Sequence, residues 1–155
     1  MQRKPKVLFL STGNSTRGVM AEGFLRALAA DYFEGVSVGV RSSEVHPLAG
    51  TVMDEVGIDI SGQKPRSVAE SVRESFSHAV ILYDSATERS PIFPFTPHLL
   101  RWSIADPTTV EGSSSEKAEV FRQIRDQIQT NIEKFVNEFA NQVAPARHGR
   151  LPTAA

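Results

Sequence analysis

A chain of 155 residues has room for one domain and not two, and folding at this length removes about 70% of the unfolded chain's surface from water. Its 40% hydrophobic and 23% charged residues are those of an ordinary globular protein, and a formal net charge of −1 excludes bulk attraction to nucleic acid or to an anionic membrane surface. Cysteine is absent, which excludes disulfides, thiolate metal sites and thiol catalysis together.

The four histidines, His46, His78, His98 and His148, lack the i,i+4 spacing that sets two ligands on one helix face, so no metal or other cofactor is expected. The basic N-terminus (residues 1–6) precedes only a four-residue apolar run. A signal peptide needs about 7–15 apolar residues and a membrane helix about 20, so a cytoplasmic location without a membrane partner is expected.

In chain order, the run Val7, Leu8, Phe9 and Leu10 predicts a strand buried on both faces. Small polar residues follow, then a helical pattern carried by Val19 or Met20, Phe24, Leu25 and Leu28. Residues 36–40 predict a second strand. His46-Pro47 opens a helix with Leu48, Val52, Met53 and Val56 on its apolar face, and Gly57 is suited to stop it in the left-handed conformation.

A short helix is predicted over 67–76 and a third strand over 79–82. Residues 84–98 form a loop whose Pro91, Pro94 and Pro97 exclude a regular helix or interior strand. Phe93 and Phe95 within it either pack under the loop or line a pocket rim. Residues 99–104 predict a fourth strand. Ser113 and Glu116 have the spacing of a capping box, and Phe121, Ile124, Ile128, Ile132, Phe135 and Phe139 step along one face of a final helix. Residues 1–143 form the expected domain, and 144–155, rich in Pro, Gly, Arg and Ala, an expected disordered tail. Alternating strands and helices predict an α/β fold with a parallel sheet, whose ligands sit beyond the carboxyl ends of the strands.

The loop after the first strand, Ser11-Thr12-Gly13-Asn14-Ser15-Thr16-Arg17, is therefore the leading candidate site. Residues 11–16 are small enough for backbone N–H groups to approach an anion. Gly13 and Asn14 tolerate left-handed angles that turn successive amides inward, and the following helix directs its positive end at the same place. Arg17 is suited to clamp two oxyanion oxygens. The plainer alternative is a strand–helix connection in which Ser15 or Thr16 merely caps.

This segment, with Met20-Ala21-Glu22-Gly23-Phe24 after it, resembles the opening of the low-molecular-weight protein tyrosine phosphatase and thiol-coupled arsenate reductase superfamily. Val56-Gly57-Ile58-Asp59-Ile60-Ser61 resembles the close of that family's second helix. Trp102-Ser103-Ile104-Ala105-Asp106-Pro107, with Phe121-Arg122 downstream, resembles its Asp-Pro loop and last helix. Thr108-Thr109, where a tyrosine pair would mark the phosphatases, is similar to the arsenate reductase branch. The resemblance spans about residues 6–140. It implies a four-stranded parallel sheet flanked by helices in a Rossmann-like three-layer arrangement, with Asp106 as the general acid, the plainer alternative being a turn residue before Pro107.

Ser11 stands where the family has its nucleophilic cysteine. A thiol beside Arg17 would ionise readily, whereas a hydroxyl in that setting stays protonated without an adjacent base. The resemblance places the two further redox cysteines of the reductases at Tyr83 and Ser90, so arsenate reduction by the family's route is excluded. Tyr83 is not a residue that deliberate cysteine removal would insert, and the pattern reads as natural divergence. The implied function is binding of phosphate, arsenate or a phosphorylated ligand with catalysis impaired. The alternatives are a phosphatase with a non-cysteine mechanism and a protein-interaction domain, with a protein partner, whose loop is a relic. Arg41, Lys64, Arg66, Arg89 and Arg101 read as surface charges, with Arg89 nearest the expected site.

Overall fold

Val7 to Leu10 are at most 3% exposed, so β1 (Lys6–Ser11) lies at the centre of the molecule with neighbours on both edges and both faces. The computed structural model describes residues 4–90 and 98–142. The prolines and phenylalanines expected in the 84–98 loop at 91–97, and the tail at 144–155, lie outside the described residues. After β1 come α1 (Thr16–Ala29), β2 (Glu34–Gly39), α2 (Pro47–Asp54), α3 (Val68–Ser71), β3 (His78–Tyr83), β4 (His98–Ser103) and α4 (Ser114–Phe139), with short 3₁₀ turns at Pro107–Thr109 and Ala140–Gln142.

The four strands are parallel in the order β2-β1-β3-β4, as expected for a sheet flanked by helices. The chain moves outward from β1 to β2 and then returns to the other side of β1, so the strand order reverses at β1. The crevice beyond Ser11 is thus the place where such sheets bind ligands.

Side chains alternate along β1. Val7 and Phe9 join one core with Met20 and Phe24 of α1 and the α4 stripe Phe121, Ile124, Ile128, Ile132 and Phe135. Leu8 and Leu10 join a second core with Val36, Val38, Phe76 and Ile81. Arg125, on the same helix as the stripe, is also buried, and it ties α4 to the end of α2 through the Val52 carbonyl and Glu55.

Several boundaries differ from the sequence expectation. The helix expected over 67–76 is a single turn, closed by a capping box between Ser67 and Glu70. Val72 points to solvent at 64% exposure, and the chain turns to bury Phe76 under the sheet and to carry Glu74 to Lys6 and Arg66. Arg66 is therefore a paired residue, and its amide also donates to the Ser37 carbonyl. Val56 is 40% exposed and contributes little to the α2 face, while Gly57, with φ +80°, ends that helix as expected.

Two features of the sheet generate tests. At its amino end, His78 is 4% exposed, packed edge-on by Phe33, Phe135 and Phe139 and stacked on His98 at 4.7 Å. Its Nδ1 meets Ser77 Oγ at 2.7 Å, and its Nε2 has no hydrogen-bond partner among the described residues. Burial first, and the neighbouring His98 second, lower its pKa from 6.5 to about 4. A histidine that must stay neutral when folded contributes stability that is complete above the unfolded value and is lost as pH falls toward the folded one. The loss is on the order of 3 kcal/mol. The denaturant midpoint is expected to fall between pH 6.5 and pH 4, and His78→Leu should make that fall shallower. An unchanged slope in the variant would contradict the assignment.

At the carboxyl end, Gly39 closes β2 directly beneath the candidate loop. A Cβ there would lie 2.0 Å from the Ser42 carbonyl oxygen and 2.8 Å from the Ser15 amide nitrogen, both backbone atoms that cannot swing away. Gly39→Ala should cost upwards of about 2 kcal/mol in chemical denaturation. A midpoint equal to that of the parent protein would show that the loop is not pinned there.

Candidate functional site: an arginine-centred loop beyond the first strand

Each strand that ends near β1 delivers a loop to one place. Residues 11–17 follow β1, residues 84–90 follow β3, and residues 104–109 follow β4. The first of these is braced from beneath by the chain leaving β2. Val40 and Arg41 donate their amides to the Ser11 and Gly13 carbonyls, Ser15 donates its amide to the Glu44 carbonyl, and the His46 amide donates to Thr16 Oγ1.

Ser11 is fully buried, and its Oγ accepts the Gly18 amide at 2.8 Å. Among the described residues no histidine or carboxylate is hydrogen-bonded to it. The His46 backbone reaches the loop at Thr16, but its ring is engaged elsewhere. Its Nδ1 accepts the Leu48 amide as the cap of α2, and the ring lies on Phe121 at 4.9 Å. Among the described residues, no adjacent base is hydrogen-bonded to activate this serine.

Arg17, in the first turn of α1, is 1% exposed. Its Nη1 donates to the Ile104 carbonyl at 2.9 Å and to Glu88 Oε1 at 3.0 Å. Its Nη2 lies 3.4 Å from Thr12 Oγ1 and 3.8 Å from Asp106 Oδ2. Asp106 is fixed by its own loop. Oδ1 accepts from the Thr108 amide and from Thr108 Oγ1, and Asn14 Nδ2 donates to that same hydroxyl at 3.1 Å. Thr108, read from the sequence only as a branch marker, is thus the link between the loop and Asp106. Gly13 leaves room for this approach, since a Cβ on it would lie 3.1 Å from Asp106 Oδ2.

The amides of the loop are less free than the sequence predicts. Thr12 donates to the Leu82 carbonyl, Ser15 to Glu44, and Thr16 to Asn14 Oδ1, while the positive-φ glycines among the described residues are Gly57 and Gly112 rather than Gly13. The inward nest expected over residues 11–17 is therefore partial in this arrangement, because the amides of Thr12, Ser15 and Thr16 already donate within the fold.

Glu88 is the residue that sequence reasoning passed over. Its Oε1 accepts from Arg17 and from the Asp84 amide at 2.7 Å, and its Oε2 accepts from Thr12 Oγ1 at 2.6 Å. Burial raises its pKa, but the hydrogen bonds from Arg17, Thr12 and Asp84 outweigh burial and hold the carboxyl below its ordinary value. The available signal is topological and coarse: the connection after β3 must begin beside the end of β1. Tyr83 lies one residue beyond Leu82, the register partner of Ser11, and pairs with Ser103 across the sheet. Ser90 Oγ accepts from Arg101 Nε at 2.9 Å, so Arg101 is engaged rather than a simple surface charge, whereas Arg89 is exposed. An open depression of about 350 Å³, lined by Asn14, Glu44, Val45, His46 and Pro47, adjoins the loop. Among the described residues no helix is long and apolar enough to cross a membrane.

Comparison with known proteins agrees with this geometry. The family described as low molecular weight phosphotyrosine protein phosphatase matches residues 6–145. The arsenate reductase of Halalkalibacterium halodurans is 35% identical over 132 residues, covering 85% of this chain and 95% of that protein. The arsenate reductase of Bacillus subtilis is 34% identical, covering 83% and 93%. A solved structure described as an arsenate reductase in the phosphate binding state superposes with a TM-score of 0.73 at 32% identity, covering 86% of this chain and 98% of that one. With a match across nearly its whole described length, this chain belongs to the low molecular weight phosphotyrosine protein phosphatase and arsenate reductase superfamily, as a member without the family's cysteines.

Proposed function

We propose that this protein binds phosphate, arsenate or a small phosphorylated ligand at the loop over residues 11–17 and does not turn it over. Arg17 is the observation that carries this reading. A guanidinium held at the positive end of α1, beside Gly13 and Asn14, is suited to clamp a tetrahedral anion, and binding asks for little else. The depression beside Asn14 offers room for the remainder of a small phosphorylated ligand.

Covalent turnover asks for more. A thiolate at position 11 would be stabilised by the Gly18 amide, the α1 terminus and Arg17, whereas a serine hydroxyl in the same place keeps its proton for want of a base. Loss of the nucleophile in another covalent hydrolase costs on the order of 10⁶ in kcat. Asp106 retains the general-acid position, but an acid speeds departure of a leaving group only after something has attacked. The relatives named for arsenate reduction do not transfer that activity to a chain with no thiol to take up arsenic or to carry electrons. A water-based phosphatase and a pure interaction domain are the other readings, and no particular contact favours either.

Calorimetric titration of the protein with phosphate and with arsenate tests this reading, with Arg17→Met as the volume-matched control. Saturable binding with a Kd of about 1 mM or below is expected, lost in the variant, together with aryl phosphate hydrolysis no faster than in buffer. Binding that survives Arg17→Met, or none at all, would overturn the site. Hydrolysis that depends on Arg17 would overturn the impairment.

A further inference from the structure

Arg17 is already paired with a residue that has no part in the function proposed above. Glu88 presents both carboxylate oxygens to the loop and collects three donors: Arg17 Nη1, Thr12 Oγ1 and the Asp84 amide. Two planar oxygens accepting from an arginine and a neighbouring hydroxyl reproduce what part of a bound phosphate would do. The clamp expected to hold an anion is therefore already filled.

Charge points the same way. One guanidinium, 1% exposed, stands between two carboxylates, Glu88 at 3.0 Å and Asp106 at 3.8 Å. With both in place the formal charge of this group is −1, so an incoming anion meets repulsion until a carboxylate withdraws. Asp106 is anchored by Thr108 and, through it, by Asn14. Glu88 is held by the Arg17, Thr12 and Asp84 contacts. Its side chain is 22% exposed, and Ser85, Ala86 and Thr87 before it lie at the surface, so a path to solvent is open to it.

We propose that Glu88 is the resident occupant of the oxyanion loop, so that ligand binding is an exchange in which the anion displaces Glu88 from Arg17 and Thr12 and frees the 84–90 loop. The proposal rests on the oxyanion-binding reading above. It has two consequences. The occupant lowers apparent affinity by the fraction of molecules in which it has withdrawn. Displacement also strips the Asp84 amide of its acceptor, Glu88 Oε1, which couples the ligand to the surface loop after β3.

The test titrates inorganic phosphate into the parent protein, Glu88→Gln, Glu88→Ala and Glu88→Gln with Arg17→Met, and follows amide hydrogen exchange at Asp84 in the parent. Removing the charge should tighten phosphate binding by about tenfold, with binding lost again when Arg17 is replaced. In the parent, phosphate should speed exchange at the Asp84 amide, opposite to the protection that ordinary ligand binding confers. Two glutamate variants guard against one that folds poorly, and thermal unfolding in each reports folding. Equal or weaker binding in both variants, with Arg17 still required, would overturn Glu88 as an occupant and leave the oxyanion site standing. Protection of Asp84 on adding phosphate would overturn the exchange. No binding in any of the proteins would overturn both readings, since vacating the loop would have revealed no site.

Discussion

A guanidinium with almost no solvent contact organises the carboxyl end of this sheet. Burying an unpaired cation costs several kcal/mol, so wherever Arg17 goes, compensation must follow. It comes from three separate connections: Thr12 after β1, Glu88 after β3, and Ile104 and Asp106 after β4. In a parallel sheet these connections share one end of the molecule by topology alone, but nothing in topology aligns their side chains. Arg17 does that, and the Asn14–Thr108–Asp106 chain adds a second tie across the same gap. The site is thus an electrostatic knot between loops, set on a rigid floor made by Gly39 and the chain leaving β2.

On the proposed reading, that arrangement separates binding from chemistry. The helix terminus, the arginine and the acidic residue at position 106 are in place, and each of them acts through charge and position. The reacting atom is what differs. Sulfur would ionise in this environment, whereas the oxygen of Ser11 accepts the Gly18 amide and, among the described residues, is hydrogen-bonded to no base. On the reading proposed here, a single-atom change at position 11 would leave the fold and the anion clamp standing while removing the covalent step.

Much of this was legible in the sequence. The continuous apolar run at Val7 to Leu10 fits a two-faced interior strand, and the three- and four-residue steps from Phe121 to Phe139 fit a helix with one buried side. The first follows from an unbroken apolar run and the second from a helical period. The helix expected over 67–76 failed because pattern says nothing of where Phe76 must be buried or which cation Glu74 must reach. Arg17 and Asp106 were identified through motif and resemblance. Glu88 was not, because its role arises from the register of β3 against β1, a long-range fact that local pattern does not carry. The loop amides of Thr12, Ser15 and Thr16 were misjudged for the same reason, since their acceptors lie in distant segments or in a side-chain rotamer.

A crystal structure of the protein grown with and without phosphate tests the central claim most directly. Phosphate should be seen against Gly13, Asn14 and Arg17, with Ser11 Oγ unmodified and still accepting from Gly18. The Glu88 carboxylate should have left Arg17 in the phosphate-bound crystal alone. An empty loop at saturating phosphate, with Arg17 still paired to Glu88 in both crystals, would contradict the claim that this loop is a working oxyanion site.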